Sequence, residues 1–274
     1  MTDSPASGKI PRKLNLTPQE SKQIIDHIQS NPADLLQIPT VRALLAKSRF
    51  ERVEAAALET LDETSEAVRS HAIEHNMNNL RKMEAVERPS ILVYPLRGIE
   101  YVVRNAAALK VLTIGPRTES EIFSLIAAGF DPEKITGLDL ISYSDFVQLG
   151  DMHAMPFDDG SFDVVIMGWV LPYSSENQRV ADEAVRVAKP GGIIAIGCPA
   201  EIHGEPGTEE AATAVGGVPV TSPDGSKTVS RFFNSGQLMR LFEGKIDTVY
   251  FRQDPHPATV EQRGNVTAVF RLNA

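Results

Sequence analysis

Apolar residues follow two different spacings along this chain. In residues 16–88 they recur every three or four positions, as at Phe50, Val53 and Ala57, which is the period of an amphipathic helix. After residue 88, short continuous apolar runs alternate with helical patterns, which is typical of a parallel sheet covered by helices on both faces. We therefore expect an all-helical extension over 16–88 and an α/β domain over 89–274.

The extension carries two signals for the start of a helix. The run Thr17-Pro18-Gln19-Glu20 combines an N-cap threonine, a proline suited to the first turn and the glutamate of a capping box. Asn31-Pro32 repeats the signal. The apolar stripe from 49 to 87 predicts one long helix or two joined helices, ended by Pro89. Residues 1–15, rich in Ser, Pro, Gly and Lys, are predicted to form a flexible N-terminus.

Short apolar runs predict the strands of the α/β domain. They lie at 111–114, 135–138, 146–149, 162–167 and 193–196, with helices expected at 98–109, 119–128, 176–188 and 235–242. Two further runs, 248–252 and 266–272, predict an antiparallel hairpin at the edge of a mostly parallel sheet. Residues 199–230, rich in Gly, Pro, Thr and Ser, are expected to form a loop insertion.

Composition and charge argue against several classes of function. The 27 basic and 36 acidic residues give a net charge of -9, which disfavours nucleic acid as a partner because its binders present a basic face. Cys198 is the one cysteine, so no internal disulfide can form, and we expect this thiol to be buried. No signal-peptide pattern and no apolar run of the ~20 residues needed to cross a bilayer is seen. The expectation is a cytoplasmic protein with no membrane partner.

Candidate ligand-binding residues follow the predicted strands. Gly115 follows the first strand, where a turn must bring backbone N–H groups close to a ligand. Asp139 ends the second strand, where a carboxylate can hold two ribose hydroxyls, although it could instead cap the next turn. Asp151, after Gly150, can accept a hydrogen bond from the exocyclic amine of adenine or cap a turn, and Met152 can lie on the ring face. The pattern favours a nucleotide-like ligand at this edge of the sheet.

The order of these residues resembles the class I S-adenosylmethionine-dependent methyltransferases. The residues that match the family's motifs are Gly150, Asp151, Met155, Pro156, Phe157, the run 161–165, Arg186, Val187, Lys189, Pro190, Gly191 and Gly192. The resemblance covers 110–198, extends over 199–274 by topology alone, and does not cover 1–88. It implies a Rossmann-like methyltransferase sheet with S-adenosyl-L-methionine as cofactor.

The resemblance also implies where that cofactor would lie. Its ribose would meet Asp139 and its adenine would meet Asp151 and Met152, with Leu140 and His153 as neighbouring walls of the site. Trp169, after the fourth strand, would line the site or its acceptor pocket, or belong to the core.

The glycine-rich turn of the family is altered in this chain. Thr113 stands in place of the acid, Arg117 in place of the second glycine and Glu119 in place of the third. Gly115 remains and is followed by Pro116. Such a turn either binds the methionine end of the cofactor through side chains or has lost the ability to bind it well.

Charged side chains could replace the missing glycines. In the binding alternative, Arg117 or Thr118 would meet the methionine carboxylate, and Glu119 or Glu121 would meet its ammonium group, because paired charged groups form strong hydrogen bonds.

Residues for catalysis are less clearly marked. His203 and His256 flank the last predicted helix and are candidates for a general base, though each also fits a surface histidine. Tyr173 is a candidate for substrate contact or catalysis on the acceptor side. His71 and His75 match the H-x-x-E-H pattern of zinc proteases, but no third ligand is evident nearby, so we expect no metal.

The leading functional prediction is methyl transfer to a small-molecule acceptor whose reacting atom is not specified. A catalytically inactive protein that keeps the fold as a binding or scaffold subunit is the alternative, supported by the altered turn. A nicotinamide-dependent oxidoreductase is disfavoured, because the turn 115–120 does not supply the G-x-G-x-x-G pattern. The helices of 16–88 would cover the acceptor side or form a homodimer interface.

Overall fold

The computed structural model describes residues 16–64, 72–82, 88–200, 218–221, 227–232, 234–255 and 264–274. The flexible N-terminus predicted over 1–15, most of the predicted insertion 199–230, and the histidines His71, His203 and His256 lie outside these ranges.

The helices and strands alternate along the α/β domain as the sequence predicts. The α-helices are α1 (Pro18–Ser30), α2 (Pro39–Phe50), α3 (Ala72–Lys82), α4 (Arg88–Leu96), α5 (Glu100–Asn105), α6 (Glu119–Ala127), α7 (Asn177–Val187) and α8 (Ser235–Arg240). Short 3-10 helices span Pro32–Gln37, Ala55–Ala57, Ala106–Ala108, Pro132–Lys134 and Leu171–Tyr173. The strands are β1 (Glu59–Thr60), β2 (Val111–Ile114), β3 (Ile135–Asp139), β4 (Ile141–Ser142), β5 (Val147–Leu149), β6 (Phe162–Gly168), β7 (Ala188–Pro199), β8 (Val218–Thr221), β9 (Lys227–Arg231), β10 (Ile246–Gln253) and β11 (Asn265–Leu272).

A seven-stranded sheet forms the centre of the molecule, in the order β10-β11-β7-β6-β2-β3-β5. Strands β5, β3, β2, β6 and β7 are parallel, whereas β11 runs antiparallel to both β7 and β10. In the central register Ile114 lies between Leu138 and Met167, so β2, β3 and β6 end at the same edge. The predicted mostly parallel sheet with an antiparallel C-terminal edge is confirmed.

Alternating side chains bury both faces of this sheet. Leu112 of β2 packs on the face covered by α7 and α8, and its neighbour Val111 packs on the face covered by α4, α5 and α6. Both side chains are fully buried. This explains why the strands are continuous apolar runs. Because both faces of the sheet are apolar, polar side chains that bind a ligand are expected in the loops at the carboxyl edge of the sheet.

The N-terminal helical segment begins with the predicted capping box, but its second helix differs from the prediction. Thr17 and Glu20 form the capping box, with the Glu20 amide donating to Thr17 Oγ1 at 3.2 Å and the Thr17 amide donating to Glu20 Oε2 at 2.8 Å. Pro32 begins a 3-10 helix rather than an α-helix.

The long or double helix predicted over 49–87 is confirmed over 72–82, where α3 lies, but it is wrong over 51–64 and in placing Pro89 at a helix end. Helix α2 ends at Phe50, β1 pairs with β4, and Pro89 lies in the first turn of α4. A proline suits a first turn because the missing N–H has no intrahelical partner there. Phe50, the last residue of α2, packs edge-on against Tyr143, with ring centroids 5.0 Å apart.

Helix α2 is fastened to the sheet domain at the start of α6. Arg49 Nη2 donates to Glu119 Oε1 at 2.8 Å, and Ser144 Oγ donates to the same oxygen at 2.6 Å. The hydrogen bond from Arg49 to Glu119 raises the pKa of Arg49. Leu36 and Ala46 pack with Phe123 of α6 beside this ion pair. The N-terminal helices are thus joined to the helix that follows the first sheet strand.

No helix in the described ranges is both long enough and apolar enough to span a membrane.

The ion pair between Arg49 and Glu119 gives a prediction about stability. Replacing Arg49 by leucine should lower the free energy of unfolding by roughly 2 kcal/mol, because the Glu119 carboxylate is 2 % exposed and loses its counter-charge. We expect less than the full cost of a buried unpaired charge, since Arg49 is itself 44 % exposed. Urea denaturation measures the change.

The neighbouring Arg52 provides the matched control for this measurement. Arg52→Leu should change the free energy of unfolding by less than about 0.5 kcal/mol, because its side chain donates to the backbone carbonyl of Ser48 on the surface. The double variant Arg49→Leu, Glu119→Leu should recover much of the loss. Equal effects of Arg49→Leu and Arg52→Leu would contradict the assignment.

Candidate functional site

A cleft of about 430 Å³ lies where β2, β3, β5 and β6 end. The loops after these strands form most of its wall, and α3 contributes Ala72 and Asn76. The residues that line the cleft include Gly115, Asp139, Leu140, Asp151, Met152, Val170 and Tyr173.

The turn after β2 requires glycine at its first position. Gly115 has a φ of +67°, a region that favours glycine, and a Cβ there would lie 2.4 Å from Val170 Cγ1. The ring of Pro116 packs closely on β3. A Cβ added to Gly137 of β3 would lie only 3.0 Å from Pro116 Cγ. Gly115 therefore lines the cleft, and Pro116 supports the turn from below.

Arg117 keeps the backbone shape of a glycine although it carries a side chain. Its φ is +54°, in the left-handed region that non-glycine residues seldom adopt. In this conformation its amide donates to Asp139 Oδ2 at 3.2 Å. The altered turn thus retains a left-handed conformation at the position where the family has its second glycine.

Asp139 joins two loops at the edge of the cleft. Its carboxylate accepts hydrogen bonds from the amides of Arg117, at 3.2 Å, and Leu140, at 2.7 Å. The residue is 7 % exposed and lines the cleft. Asp139 therefore fixes the turn after β2 against the end of β3, while its carboxylate remains at the wall of the cleft.

Asp151 is held by a histidine buried behind it. Asp151 Oδ1 accepts hydrogen bonds from the His153 amide at 2.9 Å and lies 2.6 Å from His153 Nδ1. On the far side of the ring, Nε2 lies 2.6 Å from Ser174 Oγ. These three residue types also form the triad of serine hydrolases, but Ser174 is fully buried, so its hydroxyl cannot reach a substrate. The arrangement orients Asp151.

Glu119 lies away from the cleft, in its ion pair with Arg49 at the start of α6. Its amide donates to the Tyr143 hydroxyl at 3.2 Å, and burial raises the pKa of that hydroxyl. The carboxylate predicted as one alternative for the ligand's ammonium group is thus already bound to Arg49 and Ser144.

A second, smaller cavity lies between the sheet and helices α4 and α6. Thr113, Glu121 and Trp169 line it together with apolar residues of α4. Trp169 has a φ of +59°, and its indole Nε1 donates to Asn265 Oδ1 at 3.2 Å. Trp169 therefore belongs to this second cavity, whereas Val170, the next residue, lines the large cleft.

The structure also shows where the remaining residues predicted from the sequence lie. Leu140, Met152 and Tyr173 line the cleft, whereas His153 is buried behind Asp151. Cys198 is buried, and burial raises the pKa of its thiol. Among the described residues, no group of three or more His, Cys, Asp and Glu side chains could hold a metal ion.

Several residues of the site were not found from the sequence. Asn76 lines the cleft and Ser174 contacts His153 behind it, and both come from segments without a recognisable motif. Their positions depend on tertiary packing, so no local spacing could have indicated them.

Comparison with known proteins identifies the central part of the chain. Residues 115–196 match the family described as methyltransferase domain. An uncharacterized 37.1 kDa protein in transposon TN4556 of Streptomyces fradiae is 40 % identical over 53 residues, which are 19 % of this chain and 15 % of that protein. The match thus spans only 15 % of the length of this curated relative.

Solved structures of similar fold extend over more of the chain. The 1,6-didemethyltoxoflavin-N1-methyltransferase of Burkholderia thailandensis superimposes with a TM-score of 0.51 and 13 % identity, covering 79 % of this chain and 95 % of that one. Its structure contains 1,6-didemethyltoxoflavin and S-adenosylhomocysteine. A protein from Pyrococcus horikoshii OT3 gives a TM-score of 0.45 and 15 % identity over 82 % of this chain and 99 % of that one.

The match over 115–196 contains the turn after β2, both cleft carboxylates and the loop after β6. The chain shares the fold of the Burkholderia enzyme, and over residues 115–196 it carries a methyltransferase domain.

Proposed function

We propose that this chain transfers the methyl group of S-adenosyl-L-methionine to a small-molecule acceptor. The observation that supports this best is the backbone of the turn after β2. Its left-handed residues Gly115 and Arg117 bring an amide to Asp139 although the family's later glycines are missing. When bound, the cofactor supplies a methyl group already activated by its sulfonium. The protein has to align the acceptor and exclude water.

The large cleft fits the adenosine part of the cofactor. Asp139 would accept hydrogen bonds from the ribose hydroxyls, and Asp151 would accept from the exocyclic amine of adenine. Met152 and Leu140 line the cleft beside these carboxylates and would contact the base. The absence of a Cβ at Gly115 lets Val170 pack directly against the turn at the wall of the cleft.

We propose Glu121 as the partner of the ammonium group at the methionine end. Glu121 lines the second cavity with Thr113 and Trp169, whereas Glu119 lines neither this cavity nor the cleft. A carboxylate at 121 would compensate for the threonine at 113. The methionine carboxylate would be met by Arg117 or Thr118.

The acceptor side is less defined than the cofactor side. Tyr173 lines the cleft and, among the residues that the structure describes, is our candidate for contact with the acceptor. His203 and His256 remain candidates for a general base. Helix α3, through Ala72 and Asn76, would limit the size of the acceptor. The similar Burkholderia enzyme binds a small molecule, which supports a small-molecule acceptor here.

An alternative role as an inactive binding or scaffold protein rests on the altered turn and on exposed apolar side chains. Ile24, Leu44 and Leu45 of α1 and α2 are exposed and would suit a homodimer interface. A cytoplasmic location and the absence of a nucleic-acid partner stay predictions from the sequence.

Binding of S-adenosylhomocysteine tests the proposed role of Asp139. Asp139→Asn should weaken binding by roughly 10- to 100-fold in calorimetric titration, because hydrogen bonds to a charged carboxylate are lost. The exposed Asp158 supplies a control, since Asp158→Asn removes the same charge from the surface and should leave affinity unchanged. If wild-type protein that is folded does not bind, the inactive alternative is favoured.

The role of Glu121 is tested by comparing two ligands. Glu121→Gln should weaken binding of S-adenosylhomocysteine by about tenfold, which corresponds to the loss of a charged hydrogen bond. Binding of 5′-methylthioadenosine, which lacks the ammonium and carboxylate groups, should not change. An equal loss for both ligands would mean that Glu121 supports the fold rather than the ammonium group.

A further inference from the structure

A continuous set of buried hydrogen bonds connects the cleft with the segment that carries Tyr173. It runs from Asp151 through the ring of His153 to Ser174, with both ring nitrogens at 2.6 Å from their oxygen partners. His153 is 1 % exposed and Ser174 is fully buried. Nothing in the proposed contacts with the cofactor uses His153 directly, so its polar groups have another reason to be buried here.

The hydrogen-bond partners determine the placement of the protons. A carboxylate oxygen can only accept, so His153 Nδ1 carries the proton shared with Asp151. Ser174 Oγ accepts from the Glu176 amide at 2.9 Å, which directs its own proton to Nε2. Asp151 is therefore kept as an acceptor by a ring that is held at both ends.

The backbone around His153 is held as well. Its amide donates to Asp151 at 2.9 Å, and Arg179 Nε of α7 donates to its carbonyl at 2.9 Å. The imidazole cannot turn without leaving Ser174 or Asp151 with an unsatisfied buried group, which costs free energy.

We propose that His153 is a positioning residue that makes the site selective for a base with an exocyclic amine, an inference that rests on the proposed function. Through His153, the Asp151 carboxylate is fixed in orientation and presents an acceptor to the ligand. A base with an amine at this position donates to it. A base with a carbonyl oxygen in its place puts two acceptors against each other, and the site rejects it.

The test compares S-adenosylhomocysteine with S-inosylhomocysteine, in which a carbonyl oxygen replaces that amine. Wild-type protein should prefer S-adenosylhomocysteine by at least about thirtyfold in calorimetric titration. His153→Asn, whose amide can donate in place of Nδ1, should keep most of this preference. His153→Leu should reduce it to within about threefold. The ratio of the two affinities does not depend on how much of the sample is folded.

A merely structural role would give a different pattern. His153→Leu would then lower the melting temperature and both affinities together and leave their ratio at the wild-type value, which would overturn the proposal. The exposed His27 is the matched control, and His27→Leu should leave the ratio unchanged. Failure of folded wild-type protein to bind either ligand would overturn the proposed function and, with it, this inference.

A second variant keeps the test decisive if His153→Leu does not fold. Ser174→Ala removes the partner of Nε2 and should lower the preference about three- to tenfold. Full preference in Ser174→Ala would overturn the proposal. Ser161→Ala is the control, because Ser161 donates to the Asp158 carbonyl at 2.6 Å before the start of β6, at the opposite edge of the sheet.

Discussion

The site depends on the hydrogen bond from the Arg117 amide to the Asp139 carboxylate. It forms because the turn after β2 has left-handed residues at 115 and 117, a conformation that costs free energy for an arginine. The bond joins the turn after β2 to the end of β3. An arginine stands where the family motif has a glycine, and it adopts the left-handed conformation that glycine favours.

The N-terminal helices support the same turn from outside. Arg49 of α2 binds the first residue of α6, and β1 pairs with β4 directly after the Asp139–Leu140 end of β3. Helix α3 adds Ala72 and Asn76 to the wall of the cleft. The N-terminal segment, which the family resemblance does not cover, therefore helps to form the site. A change in how it packs should alter the conformation of the turn after β2.

The sequence predicted the features that depend on local pattern. The central strands, the turn at Gly115 and the carboxylates at the ends of β3 and β5 could be read from apolar runs and the residues that follow them. The helical prediction over 49–87 was right over 72–82 and wrong over 51–64, where β1 pairs with β4, a strand whose position no local spacing indicates. Arg49, which binds Glu119, and Ser174, which binds His153, lie 70 and 21 positions away from their partners, so no local spacing could reveal these contacts.

A crystal structure of the protein grown with S-adenosylhomocysteine would test the account most directly. We expect the ribose hydroxyls at hydrogen-bond distance, about 3 Å, from Asp139, the adenine amine at Asp151, and a positive φ retained at Arg117. A cleft without ligand at millimolar S-adenosylhomocysteine would contradict the account. A ligand bound with its adenine away from Asp151 would contradict it equally.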